Sequence, residues 1–336
     1  MSYFSVALAA VVFIVLWFTH RIYQFINLHF LIPTPSAQLR RYKPESSEPT
    51  SSRSSNASEP VTWALVTAAS GGIGYGYASH LLSLNFGVII LAHSGVPTAI
   101  SRLLTKYPNA SIKGVTMDSI TATTSDISKL VSSIENLAIT ILINNVGSMP
   151  MEFPHLRPFA EYTTAGIDDT MNLNARFMTH LTRALLPHLT RNAKTLGCRS
   201  LVLNVASGAR VGLPYVTLYC ATKGYVSSFS HTLTREFKYL NSPIDCLLIV
   251  PGDVHSDGNC HGVAKGSPRA LEYGKMVLER VDGAVQRGLL EVSPYWVHAL
   301  QIWMLDRLPE SVRGRELARV MEGKRGAYLE AYEKAR

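Results

Sequence analysis

A doubly wound α/β fold, one parallel sheet with helices on both faces behind an N-terminal membrane anchor, is what this chain of 336 residues predicts. Three observations predict it. Short apolar runs alternate with helix-compatible stretches, the pattern of a parallel sheet buried on both sides. The first of those runs, Trp63-Ala-Leu-Val-Thr67, flows into the glycine-rich turn Ser70-Gly-Gly72-Ile73-Gly74 and then into helix-compatible sequence. Ahead of both lies an unbroken apolar segment.

That segment, Val6 to Phe18, is thirteen apolar residues closed by His20 and Arg21. At about 1.5 Å per residue it is short for a hydrocarbon core of roughly 30 Å and needs interfacial flanks to span it. A cleavable signal peptide is the rival reading, but no Lys or Arg precedes the run and no small-x-small site follows it. Ile22 to Ile32 is a second apolar stretch, interrupted by Gln24, Asn27 and His29, which either lies along the interface or returns through the leaflet. Arg21, Arg40, Arg41 and Lys43 follow the anchor, and the positive-inside tendency then puts the remainder in the cytosol, with an internal membrane such as the endoplasmic reticulum as the expected address. Residues 33–60, rich in Ser, Pro and Glu, read as a flexible tether between the anchor, 1–32, and a catalytic domain, 61–306.

Within that domain the strand candidates are 61–67, 87–92, 112–117, 139–144, 200–206 and 244–250. Trp63, Leu65, Val88, Ile90, Ile141, Ile143, Leu201, Leu203, Leu247 and Ile249 are the expected core, and a hydrophobic content of 47% is enough for one large core. A basic helical extension, 307–336, supplies part of the formal charge of +8; it reads either as a solvated helix face or as a surface for anionic lipid or acidic thioesters. Cysteines at 198, 220, 246 and 260 show neither metal spacing nor a paired framework, so reduced thiols and no metal site are expected. Nothing in the chain has the pattern of a nucleic-acid reader.

The chemistry concentrates at Tyr219 and Lys223, four residues apart and therefore on one face of a helix. A neighbouring ammonium favours the phenolate and brings a phenol toward the working range, and Ser207, twelve residues upstream, is placed to hold a carbonyl oxygen beside it. Tyr-x-x-x-Lys alone occurs by chance in many helices; the glycine turn supports it. Glycines between a strand and a helix let the backbone approach a pyrophosphate, which the helix N-terminus stabilises, so the implied ligand is a dinucleotide on a Rossmann-like fold, with a plain tight turn as the bland alternative.

The order Thr67-Ala-Ala-Ser70-Gly-Gly72-Ile73-Gly74, Asn144-Asn145-Val-Gly147, Asn174, Ser207, Tyr219-x-x-x-Lys223 and Pro251-Gly-Asp-Val254-His-Ser256 closely resembles the short-chain dehydrogenase/reductases over about residues 61–256. The resemblance implies Tyr219 as acid/base, Lys223 as the residue that lowers its pKa and binds the nicotinamide ribose, and Ser207 as the carbonyl-orienting hydroxyl. Asn174 holds a helix kink in this reading, with Asn172 its rival. It implies a cofactor surface of Thr67, Ser70, Gly72, Ile73, Gly74, His93, Asp118, Asn145, Val254 and Ser256 together with Tyr219 and Lys223, and it makes Asn144 and Gly147 part of the stretch that supports the central sheet and flanks the adenosine side of the cofactor. Asp118 reads alternatively as a helix N-cap. Ala68 and Val146 depart from the family pattern, where a glycine and an alanine are usual; the extra methyl at Ala68 bears on cofactor affinity. No carboxylate follows the second strand at His93-Ser94, where NAD users place one, so NADP(H) is favoured.

The anchor, the long tail and Ser293-Pro-Tyr-Trp296-Val-His298 look like the membrane-bound branch that includes very-long-chain 3-oxoacyl-CoA reductases and 17β-hydroxysteroid dehydrogenases. The expected substrate is a lipophilic ketone or 3-oxoacyl thioester. A tailoring ketoreductase of polyketide or terpenoid metabolism is the second reading, and a membrane-bound dinucleotide-binding scaffold is the alternative of another class. Membrane lipid and a homodimer partner are also implied. Tyr295, Trp296, Leu300, Ile302 and Trp303 are expected either to line an apolar channel or to pack a terminal helix, along with Met276, Val277 and Leu278.

Overall fold

The computed structural model describes residues 3–44, 62–149 and 151–335. Its centre is a seven-stranded parallel sheet of β1 (Trp63–Thr67), β2 (Gly87–Ala92), β3 (Ile112–Thr116), β4 (Ile139–Asn144), β5 (Ser200–Val205), β6 (Ile244–Ile249) and the short β7 (Glu291–Val292), in the order β3-β2-β1-β4-β5-β6-β7. The six predicted strands are all present to within two residues; β7, only two residues long, has no periodic signal to read.

Strand residues alternate between two cores because side chains in a strand point to opposite faces in turn. Val66, Ile90, Ile143, Leu203 and Ile249 face one layer of helices, α2 (Gly72–Ser83), α3 (Val96–Lys106) and α8 (Ala270–Gln286). Leu65, Ile89, Leu142, Val202 and Cys246 face the other, α4 (Thr124–Ser133), α6 (Phe177–Leu196) and α7 (Thr217–Tyr239). Nine of the ten expected core residues are buried; Trp63 is the exception, half-buried at the start of β1 with its ring lying over Gly87. Strand order reverses between β1 and β4, and in open α/β sheets ligands bind beyond the carboxyl ends of the strands at that point.

The N-terminus differs from expectation in two ways. Tyr3–Phe30 forms one continuous helix, α1, in place of an anchor and a separate interfacial stretch. At 1.5 Å per residue it extends about 42 Å, and it is the one helix among the described residues long and apolar enough to cross a membrane. The tether predicted from Pro33 is ordered over its first residues, because that segment carries two apolar side chains, Leu39 and Tyr42, which are fully buried under the sheet. Leu39 N donates to Asp282 (2.6 Å), Thr140 Oγ1 donates to Tyr42 O (2.8 Å), and Arg41 and Arg199 both pair with Asp245. The strap closes the end of the sheet opposite the strands' carboxyl ends. Residues 45–60, the remainder of the predicted tether, lie outside the described residues.

The C-terminal extension is the helix α10 (Glu310–Ala335), preceded by α9 (Trp296–Leu305). Its basic charge is largely answered within the fold: Arg313 and Arg319 pair with Glu310 and Glu316, and Lys324 with Asp253.

Candidate active site

The turn after β1 explains why glycine is needed there and what its replacement does. A Cβ at Gly74 would sit 2.2 Å from Ala68 O and 2.8 Å from Asn145 Nδ2, closer than any side chain tolerates. Ala68 itself adopts φ 51°, the left-handed region in which a Cβ costs about 1–2 kcal/mol. Gly71 precedes α2 without a side-chain cap, so the first-turn N–H groups of α2 are left to an anion. Ser256 lies against Gly72, its Cβ 3.9 Å from the point a Gly72 Cβ would occupy.

Two of the predicted cofactor residues are occupied structurally. Thr67 Oγ1 donates to Ile143 O (3.2 Å) and accepts from Asn145 N (2.9 Å) and Val146 N (3.0 Å), while Asn145 Nδ2 donates to Thr67 O (3.2 Å). These bonds rivet β1 to the chain leaving β4 and so hold the crevice open at the switch point. Ile73 packs on the core, and the Val254 side chain is buried in it, leaving its backbone for any ligand. Ser70 sits against Gly95, an unanticipated neighbour whose signal in the sequence is the Val96-Pro97 helix start that follows it. His93 is exposed, hydrogen-bonded to Ser94 (2.9 Å), with no carboxylate beside it in the chain. Asp118 accepts from Ile120 N (2.9 Å), and the N-cap role open to it belongs instead to Thr123, which caps α4. Among the described residues no cluster has the donors of a metal site. An open helix N-terminus, a backbone cradle at Gly74 and a carboxylate-free second strand end together fit a phosphorylated dinucleotide.

Deeper in the crevice the chain brings Asn174, Ser207, Tyr219 and Lys223 together. Lys223, on the first turns of α7, is buried, and its Nζ donates to Val205 O (2.9 Å) at the end of β5, 5.7 Å from the Tyr219 ring centroid. Gly147 leaves room for this: a Cβ there would lie 2.9 Å from Lys223 Nζ and 3.1 Å from Asn174 Oδ1. Gly147 therefore flanks this centre. Asn144 does support the sheet, donating to Thr182 Oγ1 and Asn204 Oδ1 (both 2.8 Å).

Asn174 lies in a π-helical turn, Asn172–Arg176, inserted between α5 (Thr164–Met171) and α6. Its Oδ1 accepts from Ser148 N and its Nδ2 donates to Ser148 O (both 2.9 Å) and to Thr222 Oγ1 (3.2 Å). Thr222 in turn donates to Tyr219 O (2.8 Å), so the amide connects the kinked helix to the helix carrying the phenol. Asn172, the rival, is half-buried at the start of the same turn. Ser148 and Thr222 were not singled out from sequence, since neither residue type is distinctive.

Burial pulls Lys223 down to about 8 from its ordinary 10.5. The phenol departs from expectation: burial raises Tyr219 above its ordinary 10, a hydrogen bond from Ser207 opposes that shift, and Cys220 adds to it. Lys223 Nζ, 5.7 Å from the centroid of that ring, spends one of its donors on Val205 O. A phenol in this setting is protonated at neutral pH, the form that gives a proton away.

The wall beside the phenol comes from far along the chain. Met321 of α10 packs with Leu156, Val216 and Cys220 in a cluster that Tyr219, Met149 and Leu213 adjoin. Lys324 bonds Asp253 (2.9 Å), and Arg325 donates to Leu156 O (3.3 Å) with its guanidinium 5.1 Å from the Tyr215 ring centroid. The C-terminal helix thus bolts together the loops that follow β4 and β6.

The family model described as short chain dehydrogenase matches residues 62–262. A Schizosaccharomyces pombe protein named very-long-chain 3-oxoacyl-CoA reductase is 28% identical over 272 residues, 77% of this chain and 76% of its own. Among solved structures, a short-chain dehydrogenase from Sphingobium yanoikuyae in complex with NADPH superposes with a TM-score of 0.56 at 19% identity, covering 74% of this chain and 97% of that one. A short chain dehydrogenase/reductase from Burkholderia phymatum in complex with NAD does so with a TM-score of 0.61 at 16% identity, covering 72% and 92%.

Proposed function

The chain belongs to the short chain dehydrogenase family, whose members are nicotinamide-dependent oxidoreductases, and on that premise we propose that it is an NADPH-dependent reductase of a ketone on a lipophilic acyl thioester, working at a membrane. The observation that carries this reading is the Tyr219 phenol in hydrogen-bond contact with Ser207 and one helical turn from the buried Lys223, and the cofactor ratio sets which direction dominates. The acyl substrate is supported by the name of the fission-yeast relative, and NADPH by the exposed His93-Ser94 end of β2, which offers a 2′-phosphate no repulsion. The residues that would hold the dinucleotide are the α2 N-terminus with Gly72 and Gly74, Ser256, His93, Asp118 and Lys223.

A nicotinamide held at these residues would supply the hydride for the carbonyl carbon. The chain's own residues do the rest. The Ser207 hydroxyl, shared with Tyr219, orients the carbonyl oxygen, and the phenol transfers its proton to that oxygen as negative charge develops there, leaving an alcohol and a phenolate. The Lys223 ammonium stabilises the phenolate so formed. Asn174 keeps the kinked helix and the Ser148 backbone in place around it. The membrane is the setting because α1 is long and apolar and its residues 5–23 make no burying contact with the domain.

The test uses purified full-length protein, NADPH oxidation followed by absorbance, and 3-oxoacyl-CoA substrates of increasing chain length. Tyr219→Phe is expected to lower turnover by about 10²–10⁴-fold, the range of general-acid catalysis, while leaving NADPH binding intact. Equal rates in the variant and the wild type would remove the basis for the assignment. His93→Asp is expected to shift cofactor preference toward NADH; an unchanged NADPH-to-NADH ratio would show that β2 does not set it.

A further inference from the structure

α9 has two faces of different character. Ile302, on its inner face, packs with Ala206, Val226, Leu248 and Val250, and its Cδ1 lies 3.7 Å from the point a Gly208 Cβ would occupy, next to Ser207. The outer face repeats at i, i+4, i+7 and i+8 as Trp296, Leu300, Trp303 and Met304, and every one of these is exposed, between 41% and 53%. Of the residues expected to line a channel or to pack, Val277, Leu278, Tyr295 and Ile302 pack on the core, whereas Trp296, Leu300 and Trp303 face outward.

The outer face is continuous with the end of α1. The Phe30 ring lies 6.2 Å from that of Trp296, His29 Nδ1 is 3.2 Å from Pro294 O, and Arg280 donates to His29 O (2.8 Å). Arg287 bonds Asn27 on the turn before. These bonds fix the C-terminal end of α1 to the corner between α8 and α9, so wherever α1 enters a bilayer, α9 is carried to its surface. At the far end of the face the Arg307 guanidinium stacks 4.0 Å over the Trp303 ring, an indole and a cation paired as at the headgroup level.

We propose that the outer face of α9 is an interfacial membrane contact, immersed at the headgroup–acyl boundary of the same bilayer that receives α1. It rests on the reading of α1 as a bilayer helix. A helix with side chains is about 10–12 Å across, so a seated α9 holds the Ser207 turn roughly that far from the lipid surface. A lipophilic substrate then leaves the bilayer beside the catalytic centre.

The four tryptophans, Trp17, Trp63, Trp296 and Trp303, make both statements separately measurable. The full chain is reconstituted in phosphatidylcholine vesicles containing lipids brominated at shallow or deep acyl carbons. With Trp17→Phe, the shallow label is expected to quench about half the emission, since two of the three remaining indoles sit within roughly 5–10 Å of the headgroups. With Trp296→Phe and Trp303→Phe, the deep label is expected to quench more than the shallow one through Trp17. Quenching of the first variant no greater than that of the chain retaining Trp63 alone would overturn the proposal. If Trp17 were still quenched, the α1 reading would survive it. Shallow quenching of α9 with Trp17 unquenched would sink the α1 reading and, with it, the proposal that both helices meet one bilayer. A second copy covering α9, seen as a cross-linked dimer with Trp296 and Trp303 shielded from lipid, would also overturn it.

Discussion

Replacing Lys223 by Met is expected to make the protein more stable and inactive at once. The ammonium is buried, and burial pulls its pKa from 10.5 to about 8. At 1.36 kcal/mol per pH unit this depression corresponds to about 3 kcal/mol spent at neutral pH on keeping the charge inside the fold. Methionine has similar length and no charge; it forfeits the bond to Val205 O, for which about 1 kcal/mol is a fair value. The net gain is about 2 kcal/mol, or roughly 4–8 °C in Tm for a domain of this size. The pH dependence carries the same sign. Between pH 8 and 10.5 the unfolded chain binds the proton that the folded one has released, so wild-type stability rises with pH across that window and the lysine penalty is full below it. The variant lacks that rise. The assay is thermal unfolding of full-length wild type and Lys223→Met at pH 7 and pH 10, with NADPH oxidation measured in parallel. A variant no more stable at pH 7, or one whose Tm climbs with pH as steeply as wild type, would refute the argument that desolvation dominates this lysine.

Three further outcomes are expected. Ala68→Gly relieves the left-handed backbone at φ 51° and is expected to add about 1 kcal/mol in denaturant unfolding and to tighten NADPH binding; a loss of stability would mean the turn is unstrained. Asn174→Ala removes three hydrogen bonds between the π-helical turn, Ser148 and Thr222, and is expected to lower kcat more than it raises KM; circular dichroism unchanged with kcat also unchanged would deny the amide a positioning role. Tyr42→Ala is expected to cost about 3–5 kcal/mol, the range for a buried aromatic, and a loss under 1 kcal/mol in urea unfolding would show that the strap is dispensable.

The catalytic group and the sheet were legible because their signals are local. Short apolar runs located six strands, a glycine turn and a four-residue spacing on a helix pointed to Tyr219 and Lys223, and the family resemblance added Asn174 and the role of Ser207. Residues 33–44 misled for the opposite reason. Their Ser and Pro content reads as tether, yet Leu39 and Tyr42 find a cavity built by Thr140, Asp245 and Asp282, residues about a hundred to two hundred and fifty positions away. Composition has no access to such a cavity.

Sequence by itself determined the parallel sheet and the glycine turn after its first strand, and it nominated Tyr219 as the candidate acid, because each follows from local apolar runs or from residue chemistry. Only the tertiary structure decided the surroundings of that phenol, since the burial that pushes its pKa up depends on what packs around it. It alone brought α10 to the wall of the crevice and turned the aromatic face of α9 outward beside α1, because both placements depend on contacts between segments remote in the chain.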